Sequence, residues 1–230
     1  LEKKGLEDPR VTKVDDTYFM AYAAYDGEDV RLNIATSLDL EVWTKRGKAL
    51  TNFEFLKSGG HRLKYEGDRI VDQNHKAEGK EWTKSGAIFP EKIGGKYWML
   101  FGEHNIWLAN SDDGLRWEAL PNVFLLQRSM EYFDSCLVET GPPPIKTERG
   151  WLVLYHGVDH ERVYRMGFLI LGLENPAKLI YRSSEPIFEP QELYELSGIV
   201  DILPGGYKAM AEMSKDELEK FIEKHKTGGT

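Results

Sequence analysis

The sequence predicts an all-β protein built from repeated sheets of three or four short strands, the unit from which β-propellers are made. Two observations predict it. A hairpin signature recurs three times along the chain, and the segment downstream of it recurs as well. Turn residues separate the apolar runs throughout these repeats, which is the punctuation of a many-stranded protein.

The chain opens on Gly5-Leu-Glu-Asp-Pro-Arg10, ahead of an alternating apolar run that reaches Tyr25. Two carboxylates and a guanidinium beside a proline sit at a strand entrance, where a rigid sheet can aim side chains into a cleft. Asp8 is the candidate catalytic acid of this cluster. The first hairpin spans Arg10 to Tyr22, with a two-residue turn at Asp15-Asp16. Phe89 to Phe101 repeats it around Gly94-Gly95, matching Lys13 with Lys92, Tyr18 with Tyr97 and Met20 with Met99. A third copy runs from Pro144 to Tyr155, with Lys146 and Trp151 in the corresponding places. Two-residue Gly-Gly and Asp-Asp turns between apolar strands are hairpin chemistry. Downstream, Ala35 to Trp43 and Ala109 to Trp117 share the pattern Ala-x-Ser-x-Asp-x-x-x-Trp, and a looser counterpart without the Trp lies near Gly172 to Leu179.

Two regions depart from the repeat. Thr51 to Ser85 is long, polar and charged, and reads as an insertion or surface loop. Near the C-terminus, Ser214 stands three residues before Glu217, and Leu218, Phe221 and Ile222 share a face, which predicts a capped amphipathic helix over 214–225. Three repeats and part of a fourth fall short of a closed propeller, which takes at least about four blades.

Composition excludes several classes. A net charge of −8 and a pI near 5.4 disfavour nucleic acid or an anionic membrane as partner, since both require a positive field. No apolar run approaches the roughly 20 residues of a membrane span. The lone Cys136 allows no internal disulfide, and the scattered histidines have no zinc-site spacing. No phosphate-binding or dinucleotide-binding glycine loop is present, so neither a metal nor a cofactor is expected. No signal peptide is visible, but the chain starts at Leu1, so the compartment, cytoplasmic or periplasmic, stays open, as does oligomeric state.

Glu7-Asp-Pro-Arg10, Phe89-Pro-Glu-Lys92, Ile106-Trp-Leu-Ala109 with Ser111-Asp-Asp113, Gly141-Pro-Pro-Pro-Ile-Lys146, Tyr155-His-Gly-Val158 and Tyr164-Arg165 together resemble glycoside hydrolase family 130. The resemblance covers roughly Gly5 to Gly206 and keeps the family's motif order. It implies a single five-bladed β-propeller catalytic domain over 1–230 that acts on β-mannosides as an inverting phosphorylase or hydrolase. A blade ahead of Glu7 and a further segment near 206–207 would then be missing from this sequence.

The resemblance assigns Asp8 as general acid, relaying its proton through a sugar hydroxyl. It places Arg10, Glu91, His104, Lys146, His156, Tyr164 and Arg165 in the substrate cleft. The phosphorylases of the family carry an arginine where this chain has Phe101-Gly-Glu-His104, and small residues where it has Val138-Glu-Thr-Gly141. Glu103 and Glu139 would repel a phosphate dianion. Unit charges about 4 Å apart interact by roughly 4 kcal/mol at an effective dielectric near 20. The same carboxylates can activate water, so the expectation is an inverting β-mannosidase with Asp8 as acid and Glu103 and Glu139 as unranked bases. β-1,2-linked oligosaccharides are slightly favoured as substrates. Phosphorolysis of β-1,4-mannosides, a furanosidase-like activity and a non-catalytic sugar-binding propeller are the alternatives.

Overall fold

The computed structural model describes residues 2–53, 61–66, 69–76 and 81–191, the two short segments as backbone only. The described residues form strands and turns without a helix, as an all-β protein should. The helix expected over 214–225 and the gap expected near 206–207 lie outside the described residues.

The first sheet takes its strands in chain order, β1 (Gly5–Val14), β2 (Thr17–Tyr25), β3 (Val30–Ser37) and β4 (Thr44–Lys48). A separate hairpin follows, β5 (His61–Glu66) with β6 (Arg69–Lys76). The second sheet is again sequential, β7 (Ala87–Ile88), β8 (Tyr97–Phe101), β9 (Trp107–Ser111) and β10 (Glu118–Ala119). The third contains β11 (Leu137–Thr140), β12 (Ile145–Thr147), β13 (Gly150–Val158), β14 (Tyr164–Leu171) and β15 (Leu179–Arg182). Here β11 and β12 both pair with β13, Thr140 facing Tyr155 and Ile145 facing Leu152. They behave as one strand interrupted at Gly141-Pro-Pro-Pro144, where three residues in a row have no N–H to give a ladder.

The repeats are visible atom by atom. Val14 pairs with Thr17, Ile93 with Lys96 and Thr147 with Gly150, so each hairpin closes through two residues. Gly94 and Gly95 have φ of 61° and 81°, the left-handed pair that a type I′ turn requires. In every hairpin the repeated lysine lies over the repeated aromatic ring: Lys13 over Tyr18 at 5.1 Å, Lys92 over Tyr97 at 4.7 Å and Lys146 over Trp151 at 5.8 Å. The outer turns match too. Ser37 and Ser111 each donate from Oγ to an aspartate two residues on, at 3.0 Å in both cases. Those aspartates, Asp39 and Asp113, accept from the backbone N–H of Val42 and Arg116 at 2.9 Å.

The sheets pack face to face in series. Val14, Phe19, Leu32 and Ile34 of the first meet Ile88, Met99, Phe101 and Trp107 of the second. The opposite face of the second sheet, with Phe89, Leu100 and Leu108, packs on Val138, Trp151, Val153 and Leu169 of the third. Strand alternation supplies both faces: Met99 and Phe101 point one way and Leu100 the other. These three sheets do not by themselves make a closed ring.

One expectation is corrected. The region 51–85 is not simply a surface loop. Besides the β5–β6 hairpin, its end docks along β3, with Val30 N–H donating to Glu81 O and Thr83 N–H to Val30 O, each at 2.9 Å. Thr83 and Ser85 are buried.

Candidate active site

The leading strand of each sheet is irregular, and the polar cluster assembles at those irregularities. In β1 the register slips between Glu7 and Arg10, leaving Asp8-Pro9 as a bulge. The second sheet's leading strand is two residues long and is preceded by Lys84-Ser85. The third is broken after Thr140. Asp8, Ser85 and His104 have φ of 50°, 58° and 77°, a left-handed backbone that costs a side-chain-bearing residue roughly 1–2 kcal/mol. Such strain at three neighbouring polar positions is characteristic of a functional site.

At the centre is Lys84, whose side chain is 13% exposed. Its Nζ lies 3.1 Å from Asp8 Oδ2, 3.8 Å from Glu7 Oε2 and 3.9 Å from Glu103 Oε2. Trp82 Nε1 donates to the same Glu103 oxygen at 2.6 Å. Buried Ser85 donates from Oγ to Glu139 Oε1 and stands 3.5 Å from Asp8 Oδ2. Glu139 lies on β11 beside His156 of β13, with His156 Nδ1 3.7 Å from Oε2. Arg10 crosses from the first sheet to the third, donating to Thr140 O at 2.8 Å and to Asp8 O at 3.4 Å.

The two glutamates are driven apart in acidity. Burial raises Glu103, and the charges of Glu139 and Asp8 add to that rise, with Lys84 and the Trp82 hydrogen bond opposing it. Burial also pushes Glu139 up, but His156, Lys84 and Ser85 outweigh it and hold this carboxyl below the usual glutamate value. Burial disfavours the Lys84 ammonium, yet Glu103, Asp8 and Glu139 more than compensate and raise it above the ordinary lysine value. At neutral pH the cluster therefore offers an ionised Glu139, a Glu103 that holds its proton more tightly and a fixed cation. A pair of carboxyls separated in this way can divide base and acid work.

Of the residues expected from sequence, Asp8, Glu103 and Glu139 come together, joined by Lys84 and Ser85. Arg10 and His156 border them, and the Tyr164 ring stands edge-on to His156 with centroids 6.2 Å apart. His104 is buried, and its backbone carbonyl accepts from Val138 N–H at 3.2 Å, tying the second sheet to the third. Glu91 and Lys146 do not join the cluster among the described contacts. They pair with each other at 2.6 Å, each about half exposed, and Lys146 fills the hairpin position of Lys13 and Lys92. Arg165 is held by Asp159 and by Glu189, the latter at 2.9 Å. Lys84, Ser85 and Trp82 were not anticipated, because 51–85 read as a loop. The available signal was positional: Lys84-Ser85 precedes the second hairpin strand much as Asp8 precedes the first. No group of His, Cys, Asp and Glu suited to a metal occurs among the described residues.

Serial four-stranded sheets with a carboxylate cluster at their broken leading strands define a class of architecture, and the comparisons give the family. The family model of glycoside hydrolase family 130, described as β-1,4-mannooligosaccharide phosphorylase, matches residues 1–213. The chain belongs to this family. It is 36% identical over 203 residues to a 1,2-β-oligomannan phosphorylase of Thermoanaerobacter sp., covering 86% of this chain and 58% of that protein. The β-1,2-mannobiose phosphorylase of Listeria innocua, solved with β-1,2-mannobiose, superposes with a TM-score of 0.64 at 33% identity, covering 83% of this chain and 47% of that one. A structure solved under the description that this family of mannoside phosphorylases contains glycoside hydrolases targeting β-1,2-mannosidic linkages in Candida mannan gives 0.68 at 30% identity, covering 86% and 56%. The chain thus spans about half the length of the relatives it matches.

Proposed function

We propose that the protein cleaves β-1,2-linked mannosides by hydrolysis, with Asp8 as the proton donor and water held by Glu103 and Glu139 as the nucleophile. The observation that carries the reading is the charge arrangement. Asp8 and Glu103 converge on Lys84, and Ser85 ties Asp8 to Glu139, so the central cation already faces carboxylates. Arg10 donates to backbone carbonyls, and His156 faces Glu139. Such a cluster suits a neutral water more than a phosphate dianion. Ionised Glu139 is the base, and the more protonated Glu103 orients the water. Asp8 and Glu139 share the Ser85 hydroxyl, so the oxygens concerned lie within about 6 Å of each other. That is closer than the roughly 6.5–9.5 Å of a direct inverting pair. Relay of the Asp8 proton through a sugar hydroxyl, as the family resemblance implies, frees Asp8 from flanking the scissile bond.

Phosphorolysis of the same linkage is the second reading, and the names of the relatives favour it over hydrolysis. The Thermoanaerobacter and Listeria proteins are both phosphorylases, while the description that the family also contains glycoside hydrolases of β-1,2-mannosidic linkages supports the first reading.

Incubation with β-1,2-mannobiose, with and without inorganic phosphate, decides between the readings. Mannose alone, formed at the same rate in both, is the expected result. Mannose 1-phosphate formed only with phosphate overturns hydrolysis. Asp8→Asn should lower turnover by about 10²–10⁴-fold in either case, and sugar binding without turnover would make the protein a binding module.

A further inference from the structure

We propose that Lys84 is a positioning residue that couples the proton donor to the water-binding glutamates and so sets the pH range in which the site works. This rests on the roles given above to Asp8, Glu103 and Glu139. The geometry carries it. Lys84 is the group within 4 Å of both Asp8 and Glu103, which come from different sheets, and Lys84 itself precedes β7 in a segment anchored on β3. Its neighbour Ser85 makes the equivalent link from Asp8 to Glu139. Two consecutive residues thus connect the carboxyls that must hold different protonation states during one turnover.

The charged groups around Lys84 are Glu7 and Asp8 of β1, Glu103 after β8 and Glu139 of β11, with Arg10 of β1 behind Asp8 and His156 of β13 behind Glu139. Carboxylates outnumber cations here, so Lys84 limits their mutual repulsion. A cation within about 4–6 Å lowers a carboxyl pKa by roughly 1–3 units. Removing it raises Glu103 and Glu139 together. Glu139 then loses its negative charge at a higher pH, which moves the acid limb of activity upward. Glu103 keeps its proton to a higher pH once the opposing Lys84 charge is gone, which moves the alkaline limb in the same direction. A lysine that only fills space has no such signature, because its loss would lower activity without displacing the profile.

The test is the pH dependence of kcat/KM for mannobiose cleavage by wild type, Lys84→Met and Lys84→Arg. Lys84→Met should displace both limbs to higher pH by about one unit or more, and Lys84→Arg should restore them. A Lys84→Met profile that falls in height with unmoved limbs overturns the proposal. Should Lys84→Met fail to fold, a ¹³C titration of the Lys84 side chain in the wild-type protein replaces it. An inflection in the carboxyl range that disappears in Glu103→Gln is expected, and a flat Lys84 signal through that range overturns the coupling. Failure of the functional reading looks different: Asp8→Asn and Glu139→Gln would then leave turnover intact.

Discussion

The turns at Ser37–Trp43 and Ser111–Trp117 have the same internal wiring and opposite surroundings. Both place a left-handed residue after the aspartate, Leu40 at φ 69° and Gly114 at φ 73°. Both end with an indole N–H donating back to that residue's carbonyl, at 3.0 Å from Trp43 and 3.1 Å from Trp117. Trp117 is fully buried between the first and second sheets. Trp43 is only partly buried, on the outer face of the first sheet, and Leu38, Leu40 and Val42 around it are exposed. A Cβ on Gly114 would come within 2.7 Å of the Phe19 ring of the neighbouring sheet, so glycine is needed there for space as well as for φ. The local pattern makes the turn, and the adjacent sheet decides what each position tolerates.

That comparison can be broken at three levels. Trp117→Ala should cost roughly 3–5 kcal/mol by urea denaturation, as loss of a large buried aromatic does. Trp43→Ala in the 230-residue chain should cost only about 1 kcal/mol, and the gap should narrow in a longer protein whose further sheet covers Trp43. Next in size, Ser37→Ala and Ser111→Ala should each cost about 1 kcal/mol, since both remove a turn-capping hydroxyl of equal geometry. Unequal losses would show that the neighbouring sheet, and not the turn, carries the interaction. Smallest is Leu40→Gly, which should stabilise by about 0.5 kcal/mol by relieving the left-handed strain, net of glycine's entropy. Thermal unfolding would show it as a modest rise in Tm, and a fall would mean that Leu40 packs against something.

What could be read in the sequence follows the same division. The hairpins and outer turns were legible because each is specified by residues a few positions apart, as Lys13 with Tyr18 or Ser111 with Asp113. Asp8, Glu103 and Glu139 were legible only through the family's motifs, since no spacing along the chain puts residues 8, 103 and 139 together. Lys84 and Ser85 were hidden by the polar stretch before them. Their burial depends on docking against β3 and on carboxylates from the other two sheets. Glu91 and Lys146 come from different sheets, and their pairing at 2.6 Å is likewise set by how the sheets meet and not by any spacing along the chain.

The reach of Arg10 has a consequence for how this protein matures. Its guanidinium joins the backbone at Asp8 to the backbone at Thr140, which lies 130 positions beyond Arg10 itself. A contact of that sequence separation forms late, because the intervening chain must first be ordered. During synthesis the donor emerges early and waits, chemically incomplete, until the segment carrying Glu139 has been made and has docked. The polar cluster of Asp8, Ser85 and Glu139 is therefore completed only once the third sheet has docked, however early its first hairpin is made.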